Sequence, residues 1–312
     1  MAKKIKMNEK VEAMTFAQCM DKWYHHCKVN NYAEKTITYY ENTIHVFNKF
    51  FDETRLADTI DEDTLQGYIL YLKDSGVKDT TIKTYIGGLR TVLYFFMDNG
   101  WVDYFRIKVP KCVKQIKDIY TDEELRALLK KPNLNKCSFA EYRNWVMVNY
   151  LFGTGQRETS IVNIRIKDLD LANGIVKLTA TKNKKQTLLP LSDSLIAILE
   201  QYLNYRKGEA EDFLFCNVTG EQLSTSGMIS AIKLYNRSRG VSKTSIHLFR
   251  HTFATKWVRQ NGDIVKLQHI LCHSDLKTTQ KYLNVCLGDL QQDYQQMNPL
   301  ESMLCSKKHM QL

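Results

Sequence analysis

Four short stretches of the chain carry side chains able to hold or attack a phosphate. His247-Leu248-Phe249-Arg250 sets an imidazole and a guanidinium three residues apart, on one face of a helix, where both can reach the same phosphate. Leu271-Cys272-His273-Ser274 supplies a second histidine, and Thr278-Thr279-Gln280-Lys281-Tyr282 places a tyrosine hydroxyl nine residues after it. Upstream, Arg157 follows the break Gly153-Thr154-Gly155, which can present a guanidinium at a helix start, where N–H groups and the dipole also favour an anion. Taken singly, each residue has an ordinary reading. Tyr282 is one of 17 tyrosines, and Lys182 sits in the lysine-rich turn Lys182-Asn183-Lys184-Lys185, as a solvated charge would. His273 alone reads as a helix cap.

Two other chemistries fit poorly. Gly153-x-Gly155 lacks the third glycine of a dinucleotide fingerprint and follows a helical pattern, where that fingerprint needs a strand. The eight cysteines are scattered with no C-x-x-C pair, so neither a zinc ribbon nor a thioredoxin-type site is written here, and a reducing compartment fits. His25, His26 and Cys27 read as ordinary helix residues.

The elements that must position these side chains follow from apolar spacing. Phe16, Met20, Trp23 and Cys27 line one helix face behind the N-cap Thr15. Ile37, Tyr40, Ile44, Phe47 and Phe51 mark a second helix, Leu65, Ile69 and Leu72 a third, and Ile82, Tyr85, Leu89, Val92 and Phe96 a fourth closing at Asn99-Gly100. Together they predict a compact helical domain over about residues 13–105. A second domain opens at Thr121, where Thr121 and Glu124 form a capping box. A helix through Trp145 to Phe152 then stops at the glycines. The period next changes to that of a hairpin, with Ile175, Val176 and Leu178 before the basic turn and Leu188 and Leu189 after it. Helices resume from Ser192, from about Ser224 and from His247 onward, with a short strand expected at Phe213 to Phe215. The fold class is thus mainly α with a small β-sheet in the C-terminal domain.

With 312 residues, 44% apolar, the chain suits two globular domains and excludes collagenous, low-complexity and disordered classes. It has no run of apolar residues long enough to span a membrane, and the basic start MAKKIKMNEK is followed by no apolar segment. A soluble, intracellular protein is expected. Charge is unevenly placed: residues 1–105 carry 13 basic and 15 acidic groups, residues 106–312 carry 31 and 19. Residues 106–117, RIKVPKCVKQIK, hold five basic groups and no acid, which reads as an extended basic linker. Such a surface attracts a polyanion by counterion release, with nucleic acid the leading partner and an anionic membrane second.

The five elements resemble the tyrosine recombinases, or phage-type integrases, whose catalytic domain carries T-G-x-R, a hairpin lysine, H-x-x-R, L-G-H-S and T-T-x-x-Y in this order. Thr154-Gly155-Gln156-Arg157 is similar to the first. Lys182, eight residues before Pro190, corresponds to the hairpin lysine, and His247 with Arg250 to the third element. Leu271-Cys272-His273-Ser274 corresponds to the fourth, and Tyr282 to the nucleophile. The resemblance spans essentially the whole chain. It implies a two-domain clamp: a helical, SAM-like core-binding domain at 13–105, a basic linker at 106–118, an α+β catalytic domain at 119–297 and a tail at 298–312. Two departures stand out. Ser160 occupies a position where the family often has an acid, with Glu158 nearer to Arg157, and Cys272 replaces the glycine before the second histidine. The latter strains the backbone if that position needs φ > 0.

The resemblance implies a metal-free and cofactor-free strand transfer. Tyr282 attacks the phosphodiester and becomes a covalent phosphoryl ester that retains the bond energy. Arg157 and Arg250 offset charge on the non-bridging oxygens. His247 and His273 donate to the same oxygens or relay the tyrosine proton, and Lys182 protonates the leaving 5′ oxygen. Implied partners are double-stranded DNA with inverted half-sites, further copies of the chain forming a tetramer on DNA, and an accessory DNA-bending protein; no membrane is among them. Arg106, Lys108, Lys111 and Lys114 are expected to carry salt-dependent DNA contacts. The segment Leu283–Met297 is expected to pack on a neighbouring subunit. With about 12 residues ahead of the first helix, a simple recombinase of a mobile element or plasmid is favoured over one that needs distant arm sites. A DNA-binding regulator of the same fold without catalysis, and a relaxing enzyme of the type IB topoisomerase kind, are the alternatives.

Overall fold

The computed structural model describes residues 13–112, 118–178, 186–282 and 300. Lys114, Lys182 and the segment Leu283–Met297 lie outside the described residues. Contacts divide the chain into two compact units, Met1–Gln115 and Ile116–Leu312, each with its own hydrophobic core.

The first unit contains helices α1 (Phe16–Val29), α2 (Glu34–Phe47), α3 (Glu62–Asp74) and α4 (Asp79–Asp98). The expected cap at Thr15 is present as a full capping box: the Thr15 hydroxyl accepts from the Gln18 N–H, and Gln18 answers with its side-chain oxygen. Helix α2 stops at Phe47, one turn short of the expected Phe51. Phe51 is still buried, because the chain turns after Asn48 and folds the ring back onto Phe16 and Phe47. Burying a ring of this size contributes about 1.5–3 kcal/mol, enough to outweigh one further turn of helix. Residues 106–109, expected as part of an extended linker, also belong to this unit. Ile107 is buried in its core and donates its N–H to the Tyr94 hydroxyl, while Arg106 and Lys108 on either side stay exposed. The apolar positions Ile107 and Val109 alternate with the charges, and that alternation pins the strip to the core.

The second unit begins with α5 (Asp122–Leu129) under the capping box of Thr121 and Glu124, then α6 (Phe139–Thr154) and the short α7 (Glu158–Ile161). Strands β1 (Leu169–Asp170), β2 (Ile175–Leu178) and β3 (Thr187–Pro190) form an antiparallel sheet in that order, with Val176 opposite Leu189. Val176, Leu178 and Leu189 face the core and Leu188 faces outward, the period of two expected of a half-buried hairpin. Helices α8 (Asp193–Arg206), α9 (Thr225–Ser238), α10 (Ile246–Arg259), α11 (Ile264–Ile270) and α12 (Leu276–Gln280) complete it. The short strand expected at Phe213–Phe215 is not formed. Phe213 makes an isolated bridge to Arg165, and Leu214 donates to the Ile164 carbonyl, so burial of Leu214 and Phe215 accounts for the apolar run. Helix α6 is the centre of this unit, apolar on nearly every side and packed on α5, α8, α9 and α10.

Candidate active site

Three chain breaks in the second unit converge around Arg250. The first is the end of α6. Gly155 adopts φ +62° there, and its N–H closes the helix on the Leu151 carbonyl. A Cβ at this position would lie 2.6 Å from the Phe253 ring and 2.8 Å from Leu271, so glycine is required both by conformation and by the close approach of α10 and α11. Arg157 follows as the N-cap residue of α7, half-buried. Gln156 between them is buried and donates to the Ile270 carbonyl, which ties this loop to the end of α11.

The second break is the end of α11. Cys272 has φ +51°, its N–H bonds to the His269 carbonyl, and the His273 N–H reaches back to Gln268. These two bonds make a Schellman ending, whose left-handed residue is ordinarily glycine. Cys272 therefore does occupy a position of positive φ. The third break follows α12, where Tyr282 N–H bonds to the Thr279 carbonyl and the ring packs with Ala254, Leu267 and Leu271.

Arg250 is 5% exposed, and its guanidinium donates to the Gly155 carbonyl at 2.8 Å and to the Leu271 carbonyl at 2.7 Å. One side chain thus holds α10 to the first two breaks. Burial lowers its pKa to about 10, with the charge of Arg157 acting in the same direction, so it remains a cation at neutral pH. His273 is 9% exposed and its Nδ1 lies 2.8 Å from the Thr279 hydroxyl. Burial first, then the charges of Arg250 and Arg157, lower its pKa to about 4. Tyr282 is 7% exposed; burial raises its pKa, and the same two guanidiniums oppose that rise. Arg157, Arg250, His273 and Tyr282 therefore share one electropositive, partly water-excluded site, which favours an anion with several oxygens.

His247 stands apart from this group. Its side chain is 61% exposed, and Nε2 lies 3.8 Å from the Glu158 carboxylate, so the acid beside Arg157 faces this histidine. His251, absent from the sequence-based set, is within reach of the tyrosine: its Nδ1 is 3.0 Å from the Tyr282 hydroxyl. The sequence held a signal for it, since His247 and His251 are four apart on α10 and share a face. Among the described residues no three His, Cys, Asp or Glu side chains are grouped as a metal site requires. Of the expected DNA contacts, Arg106, Lys108 and Lys111 are exposed on the first unit.

Known families and proteins match the chain over most of its length. A model described as the phage integrase family matches residues 119–286, and one described as the phage integrase N-terminal SAM-like domain matches residues 20–100. The tyrosine recombinase XerD of Staphylococcus haemolyticus is 31% identical over 278 residues, covering 86% of this chain and 93% of that protein. The tyrosine recombinase XerC of Staphylococcus aureus is 30% identical, covering 86% and 92%. Among solved structures, the Tn1549 transposon integrase in complex with a circular intermediate DNA has a TM-score of 0.72 at 20% identity, covering 86% of this chain and 95% of that one. The XerH site-specific recombinase bound to a palindromic difH substrate has a TM-score of 0.70 at 21% identity, covering 89% and 87%. At those identities the structural likeness is one of fold.

Fold and site together define a DNA-acting, tyrosine-type site-specific recombinase. The chain belongs to the phage integrase family.

Proposed function

We propose that the protein cleaves and rejoins DNA through a covalent 3′-phosphotyrosine at Tyr282, exchanging strands in sequential pairs through a Holliday junction to integrate, excise or resolve a mobile element. The observation that carries this reading is the packing of the Tyr282 ring on Leu271, whose carbonyl Arg250 holds, so that the guanidinium charges of Arg250 and Arg157 bear on the phenol. Two guanidiniums at the non-bridging oxygens of a phosphodiester stabilise the charge that develops there as Tyr282 Oη adds to phosphorus and the bond to the 5′ oxygen breaks. Removal of one such preorganised donor typically costs about 10²–10³ in rate.

The remaining roles follow from the same chemistry. His273, held by Thr279 and neutral at pH 7, donates a hydrogen bond to a non-bridging oxygen without adding a third full charge. His247, at the rim, contributes to the same oxygens or to proton relay. Lys182 gives its proton to the leaving 5′ oxygen, and rejoining runs these steps in reverse. Residues 13–105 and 119–297 act as the core-binding and catalytic domains, joined by 106–118, with Arg106, Lys108, Lys111 and Lys114 on DNA phosphates. The substrate is duplex DNA with inverted half-sites, held by four copies of the chain.

The test is to trap protein–DNA adducts in denaturant from cells carrying the gene with its flanking DNA, comparing wild type with Tyr282→Phe, and to sequence the attached DNA. An adduct in wild type alone is expected, and the reads then name the site. An adduct that persists in Tyr282→Phe places the nucleophile elsewhere, and salt-dependent DNA binding with no adduct in either protein shifts the reading to a DNA-binding regulator.

A further inference from the structure

The proton of the attacking phenol needs an acceptor, and the two histidines carried by the family pattern are poorly placed to be it. His247 is mostly exposed and turned to Glu158. His273 has its Nδ1 engaged by Thr279. His251 is half-buried one helical turn after His247, its Nδ1 is 3.0 Å from the Tyr282 hydroxyl, and the two rings lie 5.7 Å apart. That distance is within the range required of a general base acting directly on its substrate proton.

We propose that His251 is the general base of the reaction, taking the Tyr282 proton on Nδ1 as Oη bonds to phosphorus and returning it as that bond breaks during rejoining. The assignment rests on the reading of Tyr282 as nucleophile. In cleavage the phenol proton passes to His251, the bond from phosphorus to the 5′ oxygen breaks, and the leaving oxygen takes a separate proton from Lys182. In rejoining, the attacking 5′ hydroxyl gives its proton back to Lys182 while His251 reprotonates the departing tyrosine, so neither direction needs a co-reactant. The tautomer that accepts at Nδ1 carries its hydrogen on Nε2.

The neighbourhood favours loss of the phenol proton. Arg157 and Arg250 bear on Tyr282 and favour its ionised form, and His273 lies near enough to feel the charge of His251. Lys281 adjoins Tyr282 and adds a further positive charge to this group. The charges of these cations are offset once a phosphate is bound between them.

The test uses the full chain with His251→Ala and His251→Asn, the latter chosen because an Asn oxygen can hold the tyrosine hydroxyl near the Nδ1 position but cannot take its proton. Each is mixed with a nicked duplex of the sequence recovered from wild-type adducts, so that the cleaved end is lost and one cleavage is read. Both variants are expected to form the adduct about 100-fold more slowly or worse, with unchanged DNA affinity. The fall in wild-type rate on the acid side of the pH profile is expected to vanish in both, and added imidazole is expected to restore rate to His251→Ala. If His251→Ala fails to bind the duplex, His251→Asn decides. A rate within about threefold of wild type in the deciding variant overturns the assignment, as does slow cleavage that keeps the acid limb and gains nothing from imidazole. Failure of the nucleophile itself is seen separately, as an adduct that survives Tyr282→Phe, and removes the basis of the assignment.

Discussion

Arg250 and Arg157 are both cations of the same site, yet they are held in different ways, and that separates the cost of losing each. Arg250 satisfies two buried backbone carbonyls on two different loops. A lysine there carries one ammonium in place of a planar fork and cannot serve both. Arg250→Lys is therefore expected to lower stability by about 1–3 kcal/mol through the unpaired carbonyl and cleavage by about 10²–10³-fold. Arg157 is half-buried at a helix start, so Arg157→Lys is expected to change stability by less than about 1 kcal/mol with a similar loss of cleavage. Urea midpoints and single-turnover adduct formation check both, and equal destabilisation by the two variants contradicts the division of roles. His273 gives a pH signature. Its folded pKa of about 4 lies below the ordinary histidine value near 6.5, so the unfolded chain binds the extra proton across that interval. Its contribution to stability is present above about pH 6.5 and lost as the pH falls toward 4. Wild type is expected to lose urea resistance over that window more steeply than His273→Asn; parallel curves contradict it.

The helix ends that build the site depend on left-handed residues, and one of them is not glycine. Replacing Cys272 tests what this costs. A left-handed conformation costs a residue with a Cβ about 1–2 kcal/mol, and Cys272→Ala keeps that cost while Cys272→Gly removes it. The glycine variant is expected to exceed the alanine variant by about 1 kcal/mol in stability, less the entropy glycine gains on unfolding; the reverse order in thermal denaturation rules out strain at this position. At Gly155 the requirement is steric as well, and Gly155→Ala is expected to destabilise by more than about 2 kcal/mol, as overpacking against Phe253 and Leu271 demands. Elements set by local rules were legible in the sequence. The capping boxes at Thr15 and Thr121 and the alternation of the β2–β3 hairpin needed only neighbours within a few residues. Features decided by distant contacts were not. Phe51 leaves its helix to join rings from α1 and α2, Phe213 finds a single bridge where a strand was expected, and Ile107 anchors residues that charge alone marked as linker. The site shows the same division. Order and spacing singled out Arg250, His273 and Tyr282, but the contact between His251 and Tyr282 joins residues 31 apart and appears only once α10 and the turn after α12 are packed.

At the scale of the whole chain, charge is segregated between the two parts: residues 1–105 are net acidic by two, whereas residues 106–312 carry 31 basic groups against 19 acidic ones. A polyanion is therefore drawn mainly to the second part and to the basic strip that precedes it. That strip is not a free tether throughout, because Ile107 fixes its start to the first core and leaves Arg106, Lys108 and Lys111 pointing outward around it. Side chains held in this way lose less freedom on meeting a phosphate than those of an untethered segment, so contacts made there are retained more efficiently. Each phosphate neutralised contributes about 0.9 to the slope of log affinity against log salt. Replacing Arg106, Lys108 and Lys111 together by alanine is expected to reduce that slope by up to about 3 and to weaken binding alike on target and unrelated duplexes, since phosphate contacts carry no base information. Replacing the buried Ile107 by alanine, with every charge kept, is expected to lower affinity without changing the slope, because the charges remain but their placement is lost. Binding isotherms between about 50 and 200 mM salt measure both effects. A slope unaltered by removing the three charges shows that the DNA passes elsewhere. An affinity untouched by Ile107→Ala shows that anchoring the strip contributes nothing.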